Sequence, residues 1–130
     1  MITILIADDN AASLELLKDA LAAPGYRIVE SSDGSDALLK VQSETPDIVL
    51  LDIQMPGLDG FEVLRAMRTL KPPVHCRVLA LTAFAMDGDR ERMLAYGFDG
   101  YIAKPVSISH VREQVRQLLN SASKSASNDL

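Results

Sequence analysis

The chain has one cysteine, Cys76, and no tryptophan in 130 residues. A lone cysteine cannot close an internal disulfide, so the fold must be held by its core, in keeping with a reducing compartment. A chain of this size can bury one proper core without staples. No apolar stretch approaches the roughly 20 residues that a membrane helix needs. Met1 leads straight into ITILIA, without the basic start or cleavage site of a signal peptide. The expectation is a soluble cytoplasmic domain, with no membrane partner and a natural N-terminus just before its first strand. Positive charge is also scarce: 13 Lys and Arg stand against 18 Asp and Glu, a net charge of −5. A nucleic-acid surface is therefore not expected. The two histidines, His75 and His110, lack acidic or cysteine partners at metal spacing and are expected at the surface.

What the chain does contain is alternation. Short, continuously apolar runs at Ile2–Ala7, Tyr26–Val29, Ile48–Leu51, Arg77–Leu81 and Tyr101–Ala103 are separated by longer amphipathic stretches. Continuous rather than alternating apolarity predicts strands covered on both faces. Leu14, Leu17 and Leu21 form the first helical stripe, and Pro24-Gly25 stops it. Ala37, Leu38 and Val41 form the second, and Phe61, Leu64 and Met67 the third. Arg90 to Tyr96 predict a short polar helix with Gly97 beyond its end. Ile108, Val111, Val115, Leu118 and Leu119 mark the last helix, with Ser107 as its N-cap. Five βα units in a row predict a doubly wound α/β fold, (βα)5, with a parallel sheet between two layers of helices. Residues 1–120 form the domain. NSASKSASNDL has nothing to bury, so 121–130 are expected to be a disordered polar tail or the start of a linker.

A parallel sheet built this way gathers the C-terminal ends of all its strands at one edge, where such folds bind ligands. Strand one ends in Asp8-Asp9, strand three in Asp52, strand four in Thr82, and strand five in Lys104-Pro105. Each residue has an ordinary explanation by itself. Asp33 and Asp59 are expected to be turn formers or caps, and Asp9-Asn10 could cap the first helix. Ordinary explanations do not say why acids, a hydroxyl and a lysine should end four of the five strands. Crowded carboxylates resist ionisation unless a cation is supplied. Lys104 is one such cation, and Mg²⁺, a hard ion taking oxygen ligands, is the other. The set suits a phosphoryl group on or near a carboxylate, and an aspartate can itself be the nucleophile.

At this point the sequence resembles the response regulator receiver domains of two-component systems, over essentially Met1 to Leu119. The matching pieces are ILIADDN, LLDIQMPGLDGFE, LTA around Thr82, and YIAKP. The resemblance implies a flavodoxin-like, CheY-like sheet of order 2-1-3-4-5. It implies that Asp52 is the phosphoacceptor and takes its phosphoryl group from a phosphohistidine. Asp9, Asp52 and the backbone carbonyl of Gln54 would ligate Mg²⁺, with Asp8 acting through a bound water. Lys104 would pair with phosphoryl oxygens across a cis Lys104-Pro105 bond, and Thr82 would hydrogen-bond the phosphoryl group. The small Ala83 would leave the entry open. Thr82 and Tyr101 would form the switch, altering the face made by the fourth helix, fifth strand and fifth helix. Gln54 and Phe84 hold the positions that tune phosphoryl lifetime. Phe84 offers no hydrogen bond, so autodephosphorylation is expected to be slow.

The implied partners are a sensor histidine kinase or histidine phosphotransfer protein and a downstream protein target, with homodimerisation on phosphorylation an option. The stretch from LTAFAMDG to YIAKPVSI is similar both to stand-alone DivK-type regulators and to receivers attached to hybrid kinases, which pass phosphate to a phosphotransfer protein. Two other classes fit less well. A haloacid-dehalogenase-type phosphatase would carry Asp-x-Asp where this chain has Asp52-Ile53-Gln54, and would need room for a cap domain. A flavin or nucleotide binder would not place the acidic, glycine-free ADDNAAS after its first strand. The expectation is a self-phosphorylating and self-dephosphorylating signalling module rather than a turnover enzyme.

Overall fold

The structure is a computed structural model that describes residues 1–71, 73–74, 76–83 and 88–128, with 121–128 described as backbone. Strands and helices alternate along the chain: β1 (Ile2–Ala7), α1 (Ala11–Leu21), β2 (Tyr26–Ser31), α2 (Gly34–Glu44), β3 (Ile48–Asp52), α3 (Gly60–Thr69), β4 (Arg77–Thr82), α4 (Asp89–Tyr96), β5 (Gly100–Ala103) and α5 (Ile108–Asn128). All strand pairs are parallel, and the sheet order is β2-β1-β3-β4-β5. This is the expected flavodoxin-like arrangement.

Side-chain alternation splits the core into two layers. Leu5, Ala7, Val49, Leu51, Val78 and Ala80 face one way, against Ala37, Val41, Val63, Leu64, Met67 and Met93 of α2, α3 and α4. Ile4, Ile6, Ile48, Leu50, Leu79, Leu81 and Ile102 face the other way, against Leu17, Ala20 and Leu21 of α1 and Val111 and Val115 of α5. Strands buried on both faces have no polar alternation, which explains the continuous apolar runs.

Local sequence sets the helix starts. Asn10, Asp33 and Asp59 are the N-caps of α1, α2 and α3, each accepting from a backbone N–H of the first turn. Asp59 and Glu62 complete a reciprocal capping box. At the far end of α4, Gly97 takes φ +126°, a left-handed value suited to glycine. The Lys104-Pro105 bond is cis, as expected.

α5 is helical as far as Asn128. NSASKSASN contains neither glycine nor proline, so nothing in its sequence ends the helix. The polar helix α4 is not solvated throughout, because Asp89 is buried and pairs with Arg92 at 3.1 Å.

Candidate functional site

Asp8, Asp52 and Lys104 have the same parity in their strands as Ile6, Leu50 and Ile102, which lie on one face of the sheet. Register places Ile6 beside Leu50 and Leu81 beside Ile102. The apolar rows therefore end together, and the polar residues that follow them meet. Thr82 has the parity of Ala80, and Ala80 is the register partner of Tyr101; the threonine and the tyrosine thus belong to the opposite face.

Lys104 Nζ stands 2.8 Å from Asp52 Oδ2 and 2.8 Å from Asp8 Oδ2. The two contacts differ in kind. The first is a hydrogen bond, whereas the second is an ion pair short of full hydrogen-bond geometry, so that among the described residues no well-formed hydrogen bond reaches the buried Asp8 Oδ2. The other oxygens are held by the backbone: Asn10 N–H donates to Asp8 Oδ1 at 2.9 Å, and Gln54 N–H to Asp52 Oδ1 at 2.9 Å. Asp8 is fully buried, Asp52 is 4% exposed and Asp9 is open to solvent.

Burial pushes the Asp52 carboxyl above its ordinary value, and the charge of Asp8 adds to the rise. The Lys104 ammonium and the Gln54 N–H oppose both. Burial works against the Lys104 ammonium, but Asp52 and Asp8 outweigh it and raise its pKa. One lysine thus serves two buried carboxylates.

One oxygen each from Asp8, Asp9 and Asp52 lies within 4.8 Å of the other two. Three carboxylates at one point, with one lysine to balance them, fit a hard divalent cation such as Mg²⁺.

The remaining expected site residues fall as follows. Thr82 is buried at the end of β4, and its carbonyl accepts from Lys104 N–H at 2.7 Å. Ala83, next to it, is exposed. Gln54 exposes its side chain at the rim. Tyr101 is half-buried on β5 and lines a cleft of about 460 Å³ with Arg90, Leu94, His110 and Gln114. His110 is at the surface, as expected. Phe84 and His75 lie outside the described residues.

Gly60 does not take a positive φ. What Gly60 supplies is space. A Cβ there would come 2.6 Å from the Asp52 carbonyl oxygen and 2.7 Å from Ile53 Cα. The first turn of α3 therefore rests directly on the peptide of Asp52, where Gly60 N–H also reaches the Ile53 carbonyl at 3.2 Å. Ser31, buried at the end of β2, was also missed. It bonds Asp36 Oδ2 at 2.8 Å and the Asp33 carbonyl at 3.1 Å, and so braces the start of α2.

Comparison with known proteins agrees with this geometry. Residues 4–116 match the family described as the response regulator receiver domain. The polar-differentiation response regulator DivK of Brucella ovis is 35% identical over 120 residues, covering 92% of this chain and 98% of that protein. The receiver domain of the Francisella response regulator 1452 superposes with a TM-score of 0.85 at 27% identity, over 94% of this chain and 99% of that one. A CheX-CheY-BeF3-Mg+2 complex from Borrelia burgdorferi matches with a TM-score of 0.81 at 26% identity, over 91% of this chain and 89% of that one. With the sheet order, the strand-end carboxylates and the lysine in place, the chain belongs to the response regulator receiver domains.

Proposed function

We propose that Asp52 accepts a phosphoryl group from a phosphohistidine of a partner kinase or phosphotransfer protein. The observation that carries this reading is the pairing of Lys104 with both Asp52 and the buried Asp8, beside the gathered oxygens of Asp8, Asp9 and Asp52. In the reaction an Asp52 oxygen bonds to phosphorus as the phosphorus–nitrogen bond of phosphohistidine breaks, and the imidazole leaves. Asp8, Asp9, Asp52 and the Gln54 carbonyl would hold Mg²⁺, which would supply positive charge against the phosphoryl oxygens. The BeF3 and Mg+2 in the Borrelia CheY complex support the same ligand class. Lys104 holds its proton and offsets charge on the transferred group, while the Thr82 hydroxyl would donate to a phosphoryl oxygen. Burial of Asp52 keeps competing water scarce.

The output on this reading is protein contact in the cytoplasm, through the α4, β5 and α5 face, with Thr82 and Tyr101 shifting a pre-existing equilibrium. The domain is then a signalling module that gains and loses its own phosphoryl group, not a turnover enzyme. Intact mass after incubation with Mg²⁺ and a small acyl phosphate tests it. One phosphoryl group should appear on the wild type and none on Asp52→Asn; a gain on both would remove Asp52 as the nucleophile.

A further inference from the structure

Three aromatic rings stand away from the carboxylates, between the first turn of α3 and the last turn of α4. Phe61 meets Tyr96 edge-on at 4.7 Å and Phe98 edge-on at 5.8 Å, and Tyr96 stacks on Phe98 at 6.2 Å. Polar contacts lock the same corner. Tyr96 Oη donates to the Phe61 carbonyl at 3.4 Å and accepts from Arg65 at 3.3 Å. The chain beyond α4 is pinned as well: Phe98 N–H reaches the Met93 carbonyl at 3.0 Å, and Asp99 N–H reaches the Val78 carbonyl at 2.8 Å.

The position of this cluster is what matters. Phe61 follows Gly60, the residue whose missing side chain lets α3 rest on the Asp52 peptide. A ring held at Phe61 holds Gly60, and Gly60 bears on the carbonyl of Asp52. We propose that Phe61, Tyr96 and Phe98 form a clamp by which the last turn of α4 positions the Asp52 peptide from behind. This rests on the phosphoacceptor reading of Asp52 and adds a regulatory contact to it, separate from Thr82 and Tyr101. Coupling between two sites is reciprocal. Loading Asp52 therefore changes the free energy of the clamp, and whatever grips the exposed side of Tyr96 changes the affinity of the site. Edge-on ring pairs depend on geometry, so the clamp holds a register as well as burying area.

Calorimetric titration of the protein with beryllofluoride in Mg²⁺ tests the clamp, with thermal unfolding recorded for each variant. Tyr96→Ala should weaken beryllofluoride binding about fivefold or more, the lower range of measured couplings. Tyr96→Phe keeps the rings and should restore affinity to near that of the wild type. Tyr26→Ala, which removes an aromatic far along the sheet on β2, should lower stability without changing affinity. Phe61→Leu keeps apolar bulk while removing both edge-on contacts, and it replaces Tyr96→Ala should that variant not fold. Unchanged affinity in Tyr96→Ala and Phe61→Leu, despite a lower melting temperature, would overturn the clamp. Equal weakening in Tyr26→Ala would overturn it too, because general loosening would then explain the result. Absence of beryllofluoride binding by the wild type would instead sink the receiver chemistry, and the clamp's role with it.

Discussion

The two edges of the sheet carry the same residue type in opposite conditions. At the N-terminal edge, Asp47 stands just before β3 and Asp99 just before β5. Asp47 exchanges two hydrogen bonds with Thr3, its carboxylate accepting from Thr3 N–H and its own N–H donating to the Thr3 carbonyl, both at 2.8 Å. Asp99 does the same with Val78 at 2.8 Å in each direction, and adds an ion pair with Arg77 at 3.3 Å. These carboxylates are bonded into the frame. At the C-terminal edge, Asp8 and Asp52 follow their strands into burial and share one lysine, and among the described residues Asp8 Oδ2 receives no well-formed hydrogen bond. An aspartate that joins two strands is building material. One held buried with capacity to spare costs stability unless a ligand uses it, and sites of that kind trade stability for function.

The contrast can be broken most severely at Lys104. Lys104→Met leaves two buried carboxylates with no cation, and in the absence of Mg²⁺ it should cost about 3 kcal/mol in chemical denaturation. Added Mg²⁺ should recover part of that loss. A cost that Mg²⁺ does not alter would show that the carboxylates do not bind it. Next comes Gly60→Ala. Its Cβ would fall 2.6 Å from the Asp52 carbonyl oxygen, so the backbone must shift, at about 1–3 kcal/mol. Phosphoryl uptake should fall with stability, because the displaced atoms belong to Asp52 itself. Retention of full uptake would mean that α3 does not position the peptide.

The smallest effect lies away from both edges. Burial pushes the Cys76 thiol from an ordinary 9.0 up to about 11, with Arg68 opposing the rise. Below 9 the thiol is protonated whether the chain is folded or unfolded, so it has no effect on stability there. Between 9 and 11 the unfolded chain loses its proton first, and stability should fall across that window. Alkylation at pH 8 should be much slower than for a free thiol; a rate matching free cysteine would contradict the burial.

Much of this was legible in the sequence, for local reasons. Strand runs covered on both faces write themselves as continuous apolar stretches, and Asp33 and Asp59 announce caps because the partner N–H lies three residues on. Strand-end position alone brought Asp8, Asp9, Asp52, Thr82 and Lys104 to one edge, since parallel crossovers leave no alternative. What stayed hidden depends on register between distant segments. Asp47 finds Thr3 across 44 residues, Asp99 finds Val78 across 21, and Tyr96 finds Phe61 across 35. No spacing rule marks those pairs. The role of Gly60 stayed hidden for a related reason, because a glycine chosen for space looks in sequence like one chosen for a turn. Asp89 sits among exposed charges, and only the packing of α4 shows it to be buried.

The most direct test of the contrast is thermal unfolding of the wild type, Asp8→Asn and Asp99→Asn, each with and without Mg²⁺. The account predicts that Mg²⁺ raises the melting temperature of the wild type by mass action. Asp8→Asn should be at least as stable as the wild type without Mg²⁺ and should gain little when it is added. Asp99→Asn should be less stable throughout yet keep the full Mg²⁺ response. An Asp8→Asn protein that loses stability without Mg²⁺ and still responds to it as the wild type does would make Asp8 another structural carboxylate, and would contradict the division between the two edges.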